Sequence, residues 1–138
     1  MRYGYSDDCD GRDLAMWRGR VASATRGARG QKLLQDCLTA LDAMPEKRLI
    51  RDELVGANGE VCLLGAGARV RGISDIAKID PEDHHILAKR FDVASCLIQE
   101  IEYVNDDYCI GSETPEQRYA RVRKWLVENI SSTAAGAA

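Results

Sequence analysis

The two histidines of this chain are neighbours, His84 and His85, and they bound what metal or acid–base chemistry the sequence can support. Adjacent residues on a helix point about 100° apart, so the pair cannot chelate one ion together. No HxxxH or HExxH spacing accompanies them, and an exposed helix face is their expected place. The five cysteines, Cys9, Cys37, Cys62, Cys96 and Cys109, are widely spaced and form no CxxC pair. That argues against a zinc ribbon or a redox motif. Cys37, Cys62 and Cys96 sit among apolar residues and read as buried thiols. A Cys109–His84 dyad can be drawn, but no spacing favours it. Asp7-Asp8-Cys9-Asp10 offers four ligand types, yet neighbours on an extended chain diverge, and a solvated turn is the plainer reading. The glycine-rich RGARGQK (26–32) lacks the preceding strand and the Ser or Thr after lysine that a phosphate loop needs. No GxSxG occurs. The expectation is a protein that is not an enzyme and carries no metal and no cofactor.

Binding chemistry is better represented. Net charge is −3, which weighs against general affinity for nucleic acid, but the charges are unevenly placed. Six bases (Arg12, Arg18, Arg20, Arg26, Arg29, Lys32) face Asp13 alone between residues 12 and 32, whereas residues 75–113 hold ten acids against Lys78, Lys89 and Arg90. Such polarity steers partners. In the acidic stretch Tyr103 and Tyr108 are aromatic contact candidates. The expected protein-binding set is Glu100, Glu102, Tyr103, Asp106, Asp107 and Tyr108.

The elements that must position these residues are mostly helical. Leu14, Trp17, Val21 and Ala24 recur at helical spacing, so the spacing predicts a helix over 12–26. A second is expected over 31–43, with Leu33, Leu34, Cys37, Leu38 and Leu41 as its stripe. Asn58-Gly59 between apolar-containing segments predicts a two-stranded β-hairpin over 48–55 and 60–63. A helix near 63–71 is expected despite Gly65 and Gly67, with Gly72 after its end. Asp80 as cap and Pro81 in the first turn predict the next helix, broken near Asp92 and followed by another from about Ala94 to Asn105. Thr114-Pro115-Glu116-Gln117 is a capping box opening a last helix to about Ile130. Buried core is the expectation for Trp17, Trp125 and Tyr119. The fold class expected is mainly α, a compact five- to six-helix domain over 12–130 with a small hairpin. Residues 1–11 read as a flexible arm and 131–138 as a disordered tail. Apolar content of 45% and charged content of 30% suit a globular protein, and no apolar run nears the roughly 20 residues needed to cross a membrane. The polar start lacks the pattern of a signal peptide, so a reduced cytoplasm is the expected setting.

Residues 84–104 resemble the helix-turn-helix pattern. Ala88 stands at the small position of the first helix, Asp92 at the turn, Val93 after it, and Ile98 and Ile101 at the anchors of the second helix. The resemblance implies a small DNA-binding regulator. Ser95 and Gln99 would read bases, and Arg18, Arg20, Arg26 and Arg29 would hold phosphates. Glu100 and Glu102 would then face a polyanion, which favours the same geometry used for packing.

Taken whole, residues 12–130 resemble small accessory proteins encoded by tailed phages and bacterial prophages. LDAMPEKRLIRDELV (41–55), GEVCLLGAGARVRGI (59–73), IDPEDHHILAKRF (79–91), IEYVNDD (101–107) and ETPEQRYARVRKW (113–125) carry the likeness. It implies an accessory protein acting in the bacterial cytoplasm and carries over no reaction. Together with the charge polarity and the lack of catalytic spacing, the expectation is binding to a host protein or nucleoprotein complex, with the blocking of a defence complex such as a CRISPR effector as one form of it, and DNA is the alternative partner.

Overall fold

The structure, a computed structural model, describes residues 11–107 and 111–131. Six α-helices follow one another: α1 (Gly11–Arg26), α2 (Ala28–Ala43), α3 (Leu63–Arg71), α4 (His84–Phe91), α5 (Ser95–Asp106) and α6 (Pro115–Asn129), with a 3-10 turn at Ile76–Lys78. None of the helices among the described residues is long and apolar enough to cross a membrane.

On α1, Trp17, Val21 and Thr25 share one buried face. Gly27, in an extended conformation, separates α1 from α2. Gln31 is buried at this junction. Its Nε2 donates to the carbonyls of Thr25 (2.7 Å) and Asn129 (3.0 Å), and its Oε1 accepts from the backbone N–H of Ser131 (2.8 Å). Gln31 thus joins the start of α2 to the end of α6. Leu33, Leu34, Cys37 and Leu41 are fully buried along α2. Tyr119 of α6 reaches α2 and donates its hydroxyl to the carbonyl of Leu41 at 2.6 Å.

The glycines of α3 exist for packing. A Cβ on Gly65 would lie 2.1 Å from the carbonyl oxygen of Leu54, and one on Gly67 would lie 2.9 Å from Sγ of Cys37. The lowered helix propensity is offset by close approach to α2 and to the preceding segment. Gly72 ends α3 in the left-handed conformation, as its position predicts.

Helix α5 is the centre of the molecule. It packs against α1, α3, α4 and α6, and Leu97, Ile98 and Ile101 are completely buried with Val104 almost so. Each of these side chains contributes about 1.5–3 kcal/mol of burial. Asp92 breaks α4 from α5 in the left-handed conformation (φ 54°, ψ 52°), the conformation the helix-turn-helix pattern requires there. Thr114 and Gln117 form the full capping box of α6.

Two expectations need correction. The hairpin is absent among the described residues. Only one antiparallel bridge, Val55 to Val61, closes the Asn58-Gly59 turn. Leu49, Leu54 and Val61 instead all point into the helical core. Asp52, at φ 67°, interrupts the extended run. The carbonyls of Leu49 and Ile50 accept from Arg118 (3.0 Å) and Asn105 (2.9 Å), side chains of α6 and α5, so no strand ladder is needed to satisfy them. The second correction concerns α4. Asp83, not Asp80, is its N-cap, accepting from the backbone N–H of Ile86 at 3.2 Å. Asp80 closes a preceding turn by accepting from the backbone N–H of Glu82 at 2.9 Å. Gly11 already belongs to α1, so the expected arm loses its last residue to the helix, and residues 1–10 lie outside the described residues. Of the expected tail only Ser131 is described.

Candidate functional site: an acidic cleft at the end of the central helix

The last turn and a half of α5 carries its polar residues inward. Glu102 and Asn105 are 6% and 2% exposed. Burying a carboxylate or an amide without partners costs several kcal/mol, so each must be answered locally. His84, in the first turn of α4, donates from Nε2 to Oε2 of Glu102 at 2.9 Å, and both side chains are nearly sealed from solvent. Asn105 joins three segments. Its Oδ1 accepts from the backbone N–H of Leu63, which opens α3 (3.1 Å). Its Nδ2 donates to the carbonyl of Ile50 and to Oδ1 of Asp106 (2.7 Å). Asp106 also accepts from the backbone N–H of Asp52 at 3.3 Å, across the left-handed turn.

These contacts draw Asp52, Glu53, Glu102 and Asp106 around one opening, floored by Leu54, Cys62, Ile101 and Pro81. Asp107 stands beside it, 3.6 Å from Arg51, which also meets Asp52 at 3.2 Å. Burial pushes the Cys62 thiol up to about 12, and the carboxylates of Asp106 and Glu102 push in the same direction. The back of the site is held by α6. Arg121 donates to the carbonyls of Val104 (2.6 Å) and Asn105 (3.3 Å), capping α5, and grips Glu113 with two bonds of 2.7 and 2.9 Å. That grip holds the Glu113 carboxyl below its usual 4.5.

The void inside the opening is about 10 Å³. That admits one water molecule, against the several hundred Å³ of a typical small-molecule site. Among the described residues no group of three His, Cys, Asp or Glu side chains has the arrangement to hold a metal ion. Cys37 and Cys62 are both pushed up to about 12 by burial, which keeps them protonated thiols rather than nucleophiles. Burial also raises Cys96, which is half-buried. What the cleft can do chemically is attract cationic groups at a surface.

The structure divides the residues expected to form one acidic face. Asp106 and Asp107 lie at the cleft, half-buried. Glu102 is there but turned inward. Tyr103 is half-buried against the core. Glu100, two residues earlier and about 200° round the helix, lies in a different groove with Arg18 and Arg26 of α1. Tyr108 is outside the described residues. Asp52, Glu53, Asn105 and His84 were not among the expected site residues. Asp52-Glu53 did carry a signal, because two adjacent acids interrupt the apolar alternation of a supposed strand.

The residues expected to contact DNA are likewise separated. Arg20 lies over the Trp17 ring at 5.5 Å, and Arg29 pairs with Asp92 at 3.1 Å, beside the turn into α5. Arg18 and Arg26 line the groove with Glu100. Ser95 and Gln99 are half-buried on a helix packed by four others. Comparison with known proteins finds no matching family model, no matching curated protein and no matching solved structure.

Proposed function

We propose that this chain is a protein-binding accessory factor that presents the acidic cleft at the end of α5 to a basic surface of its partner. The observation that carries the reading is convergence. Carboxylates from two distant segments, Asp52-Glu53 and Glu102 with Asp106, surround one opening too small for a substrate but backed by the buried face of the central helix. Electrostatic complementarity of this kind speeds encounter and selects partners. The resemblance to phage and prophage accessory proteins supplies the biological setting: a host protein or nucleoprotein complex in the bacterial cytoplasm, its basic nucleic-acid channel blocked by acid. A defence complex such as a CRISPR effector is the partner of choice under this reading.

The test is survival of a targeted plasmid in a bacterial host with an active effector. The wild-type chain should raise survival. Asp52→Asn combined with Glu53→Lys should abolish the effect while the protein remains folded by circular dichroism. Survival indifferent to the wild-type chain would remove the defence reading.

A second reading, DNA binding, draws on one observation: Arg20 and Arg29 lie beside the start of α5. Both cations already have partners within the protein, and α5 is covered, so this reading is the weaker. A gel-shift titration over genomic DNA at low salt checks it. No complex near micromolar protein ends it.

A further inference from the structure

On the other side of α5 a groove of about 410 Å³ runs between α1, α5 and α6. Val21 and Ala22 of α1 and the half-buried indole of Trp125 form its apolar floor. Arg18 and Arg26 stand on one wall, both exposed, and neither makes an ion pair or hydrogen bond among the described residues. Glu100 and Glu128 stand on the other side. Arginine and tryptophan are the side chains that most often anchor protein interfaces. The volume is in the range of roughly 300–1,000 Å³ that binding sites occupy.

We infer that this groove is a second docking site, and that its occupant is an extended protein segment with acidic residues four apart and an apolar residue midway between them. Arg18 and Arg26 are eight residues apart on a helix, about 12 Å. In an extended segment residues i and i+4 are about 13 Å apart and face the same way, and i+2 shares their face. Two carboxylates therefore reach the two guanidiniums while the middle side chain rests on Trp125. Glu100 and Glu128, the latter 3.8 Å from Lys124, keep the groove from being uniformly cationic, which favours spaced carboxylates over an unbroken run of negative charge.

The test titrates the isotope-labelled full chain with a seven-residue peptide carrying glutamates at its second and sixth positions and leucine at its fourth. The indole N–H resonance of Trp125 should move saturably. Arg18→Glu and Arg26→Glu should each weaken binding about tenfold. Arg12→Glu, the same charge change away from the groove, should leave it within about twofold. A peptide with its glutamates adjacent should bind more weakly, and equal binding would overturn the spacing. No shift at about 1 mM peptide overturns the site. Tighter binding by a ten-nucleotide thymidine strand overturns the peptide assignment in favour of nucleic acid. If Trp125 responds only after residues 1–10 are removed, the occupant is the chain's own acidic arm and the external segment falls. The acidic cleft lies across α5, so these outcomes bear on the groove alone.

Discussion

Glu100 and Glu102 are two residues apart on the same helix and live in different worlds. Glu102 is sealed against His84 in a region where polar side chains hold chain segments together: Asn105 ties Ile50 to Leu63, Asp106 ties Asp52, and Arg121 caps the helix. Glu100 sits in a groove whose cations are exposed, with no ion pair among the described residues, and whose volume is about forty times that of the cleft. One side of α5 commits its charged and polar side chains to architecture. On the other, Arg18 and Arg26 stand exposed to solvent. Sequence position alone treats the two glutamates as equals, and only burial tells them apart.

The sharpest way to break this comparison is to delete the polar partners on the architectural side. Asn105→Leu strands the buried N–H of Leu63 and the carbonyl of Ile50. At about 1–3 kcal/mol per stranded group, a loss near 4 kcal/mol is expected in chemical denaturation. Glu102→Ala should cost about 3 kcal/mol, because it leaves His84 buried beside a void. Glu100→Ala should cost less than about 1 kcal/mol. Equal losses for the two glutamates would erase the distinction.

Glu113 gives a pH signature to the same side. Its folded carboxyl lies below the usual 4.5 because Arg121 donates to it. A depressed pKa contributes stability that is present above the unfolded value and is lost as pH falls through the folded one. Wild-type stability should therefore decline below about pH 4.5, and Glu113→Gln should flatten that decline while lowering stability at neutral pH. The same acid slope in both proteins would show that the pair is not coupled to folding. The smallest effect is expected across the helix. Arg18→Glu and Arg26→Glu should change unfolding free energy by no more than about 0.5 kcal/mol, since both are exposed and neither holds an ion pair or hydrogen bond among the described residues.

Local chemistry was legible in the sequence. The helix periodicities, the glycine ending α3, the left-handed turn at Asp92 and the Thr114 capping box each depend on residues within a few positions of one another. The misreadings share another origin. The segment around Ile50 looks like a strand because its apolar pattern and the Asn58-Gly59 turn are strand-like. Its carbonyls, however, are taken by Asn105 and Arg118, 55 and 69 residues away. Asp80-Pro81 has the composition of a helix start, yet Asp83, three residues on, makes the capping bond. Glu102 reads as an outward acid because its partner lies 18 residues earlier on another helix. The acidic character of the cleft was visible as a charge count, but its membership was not. Convergence of Asp52-Glu53 with Asp106 is a property of packing.

Gln31 carries a consequence for the order in which the molecule can be completed during synthesis. Its donor and acceptor wait for Asn129 and Ser131, made 98 and 100 residues later. At roughly 5–20 residues per second, the ribosome delivers them about 5–20 s after Gln31 itself. Until then the junction of α1 and α2 stands with its amide unanswered by α6, and Leu41 waits similarly for the hydroxyl of Tyr119. The first helical pair made is thus among the last to be locked, and a slowly translated message would prolong the interval in which it is exposed to chaperones and proteases.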